Sequence, residues 1–245
     1  MKCLILAAGY ATRLYPLTEN FPKPLLKVGE KAILDWLIED IDTCNLIEEY
    51  IVISNHKYLN HFVEWARDKE YKLTIIDDGT YTNDTRLGAV KDIQYATDAL
   101  RLEDDLLVIA GDNLLDFSLT RLIEYAKEKK TSCIMRFYQS DINKLKKAGV
   151  ACIDADDLII DMEEKPKNPK CNWCTPPFYF LLKEDVKLIK QGIEEGCGTD
   201  APGSFIAWLS KHVPVHAMLM PGNRYDIGDI ISYEEVKREY KGIVI

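Results

Sequence analysis

A short apolar run ends in small residues at Leu6, Ala7, Ala8 and Gly9, and Arg13 follows in the same loop. Small side chains let a backbone come close to a ligand and offer its N–H groups to phosphate oxygens. Arg13 adds a forked cation, and Lys23, within Pro22-Lys23-Pro24-Leu25-Leu26, adds a point charge. Prolines at 16, 22 and 24 stiffen the loop that carries both cations. The chemistry these residues suit is the holding of phosphates. The segment has neither the GxGxxG nor the GxxxxGK spacing, so neither of those phosphate cradles applies.

Two carboxylates complement the cations. Asp112 follows the apolar run Leu106 to Ala110, and Asp226 lies in Arg224-Tyr225-Asp226-Ile227-Gly228. Two carboxylates with phosphate oxygens suit Mg²⁺, which takes few protein ligands and keeps several waters. Either Asp alone reads equally as a helix cap or turn residue. Glu163-Glu164-Lys165 alone reads as a solvated strand end. Asp154-Ala155-Asp156 has the DxD spacing of glycosyltransferases, but it falls in an expected hairpin turn, where Asp is common for turn reasons. The seven Cys are scattered and read as free thiols, mostly small core residues. Cys171 and Cys174 have CxxC spacing, which Cys197 or His212 and His216 would have to complete for zinc; no second CxxC exists.

These residues need elements to position them. Leu4 to Ala7, Tyr50 to Ser54, Leu73 to Ile76 and Asp105 to Ala110 read as buried strands. Between and after them, Ile33 to Ile41, Tyr58 to Trp65, Leu87 to Leu100 and Leu119 to Ala126 carry helical apolar spacing. That alternation implies an α/β fold: a Rossmann-like, mostly parallel sheet with helices on both faces. Such sheets bind ligands beyond the carboxyl ends of their strands. The second half reads as a smaller α+β lobe. It has a strand at Cys133 to Tyr138, a hairpin from Gly149 to Ile153 and Leu158 to Met162, and a strand at Phe178 to Leu182. One helix is expected over Val186 to Ile193, a short one near Phe205 to Leu209, and a last one over Ile231 to Tyr240. With no linker and no repeat, the expectation is a single domain over 1–245, with lobes of about 1–130 and about 131–245. Trp36, Trp65, Trp173 and Trp208 stand in apolar contexts and read as core.

The chain has 245 residues, 47% hydrophobic and 29% charged, which is ordinary globular composition. Its net charge is -9, unsuited to sequence-independent binding of nucleic acid or an anionic membrane. No apolar stretch approaches the roughly 20 residues of a membrane span. The run from Cys3 to Ala8 is shorter than a signal-peptide core of about 7–15 residues, so a cytoplasmic protein is expected.

The segments Leu6 to Thr18 and Pro22 to Leu26 resemble the signature of the sugar-phosphate nucleotidyltransferases, or nucleotide-sugar pyrophosphorylases. The resemblance continues in family order at Gly111-Asp112-Asn113, Gly149-Val150, Glu163-Glu164-Lys165-Pro166 and Tyr225-Asp226-Ile227-Gly228. Ala11 stands where many members have Gly. The resemblance implies that a sugar 1-phosphate, or a related phosphorylated small molecule, is joined to a nucleoside triphosphate with release of pyrophosphate. It implies catalytic roles for Arg13 and Lys23, and nucleotide contacts from Leu6, Ala7, Ala8, Gly9, Asn83, Gly88 and Asp112. It further implies acceptor contacts from Gly149, Glu164, Lys165 and Thr199, and Mg²⁺ held by Asp112 and Asp226. A homo-oligomer is compatible with it.

The residues leave specificity open. Asn83-Asp84-Thr85-Arg86-Leu87-Gly88-Ala89 stands where members read the base through Gly-Leu-Ala or Gly-Thr-Ala. Cys174-Thr175-Pro176-Pro177 stands where hexose-specific members carry small residues, so two prolines reshape the sugar pocket. The alternatives are an inactive regulatory homologue and a cytidylyltransferase acting on a non-sugar phosphate. Retention of Arg13, Lys23, Asp112, Lys165 and Asp226 favours the enzyme over the regulatory homologue.

Overall fold

The computed structural model describes residues 1–244. They form two compact units, each drawn from separate stretches of chain. The first contains Met1–Arg86, Ile109–Thr120 and Pro221–Ile245, and the second Leu87–Val108 and Arg121–Met220.

In the first unit, Glu49–Ser54 lies between Lys2–Leu6 and Leu73–Asp77 and runs parallel to both. Its residues Tyr50 to Ile53 are 2% exposed or less, as a strand covered on both faces requires. The crossovers are the helices Ile33–Asp42 and Leu59–Ala66. Ile33, Leu34, Leu37, Ile38 and Ile41 are all buried, so the expected helical stripe faces the core. A two-stranded antiparallel ribbon pairs Asn113–Leu115 with Arg224–Asp226. A second apolar cluster joins Leu14, Leu26, Ile33, Leu114, Ile227 and Tyr233, and so packs the first loop beside the closing helix Ile230–Glu239.

In the second unit, Ser132–Tyr138 pairs antiparallel with Phe178–Leu181 and Trp173–Thr175, and parallel with Val215–Leu219. Gly149–Ile153 pairs antiparallel with both Ile159–Glu164 and Trp173–Thr175. The expected hairpin is present. Asp154 makes its turn, its Oδ1 accepting from the N–H groups of Asp156 and Leu158, so the DxD spacing is turn chemistry.

Two sequence expectations are corrected here. The helix expected over Val186 to Ile193 is two short helices, Lys183–Val186 and Ile189–Glu194. Val186 and Ile189 are both buried, but between them the Leu188 N–H donates to the Asp185 carbonyl three residues back, a tighter turn, and Leu188 caps the start of the second helix. The cysteines are not all free: Cys152 and Cys171 form a disulfide. Cys171 is therefore spent on a strand neighbour, and Cys174, two residues into the next strand pairing, is a buried thiol. No helix among the described residues is long and apolar enough to cross a membrane.

Candidate active site

The first loop is held by its own backbone groups. The Ala7 N–H donates to the Ile53 carbonyl, and Asn55 Nδ2 donates to the Ala8 carbonyl at 2.9 Å. Thr18 Oγ1 donates to the Ala11 carbonyl at 2.8 Å, and Tyr58 Oη donates to the Thr18 carbonyl at 2.6 Å. Ala11 has φ 45, a left-handed conformation for which Gly has no penalty. Gly9 is exposed, with open space where a Cβ would stand. Leu6 to Gly9 thus present a fixed backbone rather than a mobile turn.

Two cations flank it. Arg13, exposed on a 3₁₀ turn at Thr12–Leu14, makes no ion pair among the described residues, and a Cβ on Gly228 would lie 4.0 Å from its Nη1. Lys23 is buried, and its Nζ donates to Asp112 Oδ2 at 2.8 Å. Asp112 Oδ1 accepts from Asn113 Nδ2 at 2.7 Å, and Asn113 Oδ1 accepts from Arg224 Nη1 at 2.7 Å. Arg224 Nη2 stands 3.5 Å from Asp226 Oδ2, and Asp226 is the register partner of Asn113. One polar chain therefore runs from Lys23 through both carboxylates expected to hold a metal. Residue type and spacing alone assign no role to Asn113 or Arg224. Their signal was position: Asn113 follows Asp112 directly, and Arg224 precedes Asp226 by two residues on a strand, hence on the same face.

In the second unit, Gly149 is in register with Glu164 on one side and Thr175 on the other. Glu164 is half-buried, and the loss of water around it pushes its carboxyl pKa up; Lys165 pulls it down and Asp200 pushes it up. A Cβ on Gly149 or on Gly203 would strike the Glu164 carboxylate or its neighbours, so both glycines are there for close approach. Lys165 has φ 49, a conformation rare for a non-Gly residue and typical of functional positions. Its exposed Nζ lies 3.6 Å from Asp200 Oδ2.

Gly88 and Thr199 meet in this unit. Gly88 has φ 93, and a Cβ on it would lie 2.5 Å from the Thr199 carbonyl oxygen. The Val90 N–H donates to that carbonyl at 3.0 Å, and the Ala89 N–H to the Asp200 carbonyl at 3.2 Å. The first amides of the helix Ala89–Leu100 are thus engaged by the segment that carries Thr199. Asn83, in the first unit, is exposed on a 3₁₀ turn. No group of three or more His, Cys, Asp or Glu among the described residues is arranged to hold a metal alone. A two-carboxylate site completed by phosphate oxygens and water remains consistent with Asp112 and Asp226.

The chain belongs to the nucleotidyl transferase family, whose model matches residues 2–242. It is 34% identical over 237 residues to the bifunctional protein GlmU of Methanococcus aeolicus, covering 93% of this chain and 51% of that one. It is 26% identical over 251 residues to the glucose-1-phosphate adenylyltransferase of Fervidobacterium nodosum, covering 96% of this chain and 60% of that one. The chain therefore spans about half the length of the curated relatives it matches, from 51% to 60% in these two. A solved UDP-glucose pyrophosphorylase complexed with UDP-glucose has a TM-score of 0.82 at 19% identity, covering 98% of this chain and 97% of that one. That likeness establishes the fold, the mostly parallel Rossmann-like sheet with helices.

Proposed function

We propose that this chain transfers a nucleotidyl group from a nucleoside triphosphate to a sugar 1-phosphate and releases pyrophosphate. Family membership and the sugar phosphates named for its relatives support the reaction type. The observation that carries the reading is the Lys23–Asp112 pair, which ties the Pro-Lys-Pro segment to the strand-end carboxylate.

The transfer is mainly a matter of holding anions in line and spreading charge. Like charges about 4 Å apart repel by about 4 kcal/mol at an effective dielectric of about 20, so cations are needed. The exposed Arg13 guanidinium takes the triphosphate oxygens and is strongest where charge grows on the departing pyrophosphate. Lys23 fixes Asp112 and adds positive charge beneath the same loop. Mg²⁺, held by Asp112 and Asp226, would neutralise triphosphate charge when bound. Leu6 to Gly9 line the nucleotide; Ala7 spends its N–H on the Ile53 carbonyl, so Ala8 and Gly9 bring the backbone N–H groups to it. In the second unit, Lys165 takes the acceptor phosphate, and Glu164 accepts a hydrogen bond from an acceptor hydroxyl.

Pyrophosphate release, measured for each common nucleoside triphosphate against a panel of hexose 1-phosphates, tests the reading. Release with at least one pair, lost in Arg13→Ala, is the expected result. An Arg13→Ala protein with full turnover refutes the role of that cation.

A further inference from the structure

Three strands set Glu164, Gly149 and Thr175 in one row, because Gly149 is the register partner of both others. Residues paired across strands share a face. The glycine leaves room for its neighbours: a Cβ there would collide with Thr175 Oγ1 and lie 2.9 Å from Glu164 Oε2. The two oxygens therefore converge over the same backbone from opposite sides.

Both oxygens lack something. Thr175 is 6% exposed, and its Oγ1 has no hydrogen-bond partner. A buried hydroxyl left this way is costly, which calls for a state in which it is satisfied. Pro176 and Pro177 follow it and have no N–H, so the adjoining backbone offers Glu164 no donor there. Among the described residues, no side chain donates to the Glu164 carboxylate.

We infer that Thr175 is a positioning residue for the acceptor: its hydroxyl donates to the Glu164 carboxylate while that carboxylate accepts a hydrogen bond from the acceptor. The inference rests on the reading of Glu164 as an acceptor contact. A carboxylate held ionised in this way takes only donors. The pair therefore selects phosphorylated acceptors with a hydroxyl at this point, such as a sugar ring. It disfavours those that present a deoxygenated carbon there, which would leave the carboxylate without a donor.

Few other groups act on Glu164. Lys165 and Asp200 do so through their charges, and Tyr179 Oη lies near the same glycine, Gly203, as the Glu164 carboxylate. Asp161 and Glu163 pair with Lys170 and alternate to the other face of the strand. The helix Gly203–Leu209 brings no ionisable side chain, and Cys152 of the neighbouring strand is in a disulfide. His216, on Val215–Leu219, is hydrogen-bonded to Thr131.

The test is the pH dependence of acceptor kcat/KM, with the hexose 1-phosphate that releases most pyrophosphate. Loss of a donor to a carboxylate favours its protonated form, so Thr175→Val moves the acid limb to higher pH. The expected result is an acceptor KM raised about tenfold with kcat little changed. Thr175→Ser restores both KM and the limb, and Thr175→Val adds nothing in a Glu164→Gln background. If Thr175→Val does not fold, the smaller Thr175→Ala carries the same test. A wild-type limb and KM in Thr175→Val, or an equal loss in the Glu164→Gln background, overturns the inference. If Glu164→Gln impairs acceptor use and Thr175→Val does not, only the Thr175 role fails. If Glu164→Gln is itself without effect on acceptor KM, the reading of Glu164 fails with it.

Discussion

Lys23 Nζ lies 2.8 Å from Asp112 Oδ2, although the two residues are 89 positions apart. The lysine is buried and the carboxylate is 39% exposed, so the pair has a protein side and a ligand side. Asp112→Asn keeps an oxygen for Lys23 and removes the charge. Turnover is expected to fall about a hundredfold or more, with the circular dichroism spectrum unchanged. A variant that turns over normally would remove Asp112 from the chemistry.

Activity should require a divalent cation. Asp112 and Asp226 are anions, and bare carboxylates repel a triphosphate. Chelation should abolish pyrophosphate release, and Mg²⁺ should restore it. Undiminished release in excess chelator would remove the metal from the account.

The cations of the two units should differ in kinetic signature. Arg13→Ala should depress kcat, because its contact grows with the charge on the leaving group. Lys165→Ala should chiefly raise the acceptor KM, because its contact exists before and during transfer. Each lost charge-assisted contact costs about 1.5–3 kcal/mol, roughly tenfold to a hundredfold. Varying each substrate in turn separates the two. A Lys165→Ala variant weakened only toward the nucleotide would reverse the assignment.

The disulfide should matter to stability. Cys152 and Cys171 close a segment of 19 positions that includes Lys165. A loop of that order contributes about 3 kcal/mol in the chain-entropy account. Thiol reduction, or Cys152→Ser, should lower the melting temperature by several degrees. Calorimetry with and without reductant checks this, and equal melting temperatures would mean that the bond adds nothing.

Much of the first unit was legible because apolar strands and helices of different period follow one another. Tyr50 to Ile53 and Ile33 to Ile41 are examples, and both are buried as their patterns require. Arg13 and Lys23 were legible from the residues around them. Asn113 and Arg224 were not, because their roles come from the register of a ribbon whose strands are more than 100 residues apart in sequence. Thr175 was hidden for a similar reason: only the pairing of three strands shows that it faces Glu164 across Gly149. The disulfide needed the strand neighbourhood of Cys152, which spacing alone cannot give. The interleaving of the units was also invisible: Leu87–Val108 belongs with the second unit, ahead of the expected division near residue 130.

The central claim is nucleotidyl transfer to a sugar 1-phosphate. The most direct measurement is pyrophosphate release across a matrix of nucleoside triphosphates and phosphorylated acceptors, with the nucleotide product identified by mass. Release with a hexose 1-phosphate, and a product whose mass is that of the nucleoside diphosphate sugar, is the predicted result. Release confined to a phosphorylated acceptor that is not a sugar, or none with any pair in the presence of Mg²⁺, would contradict it.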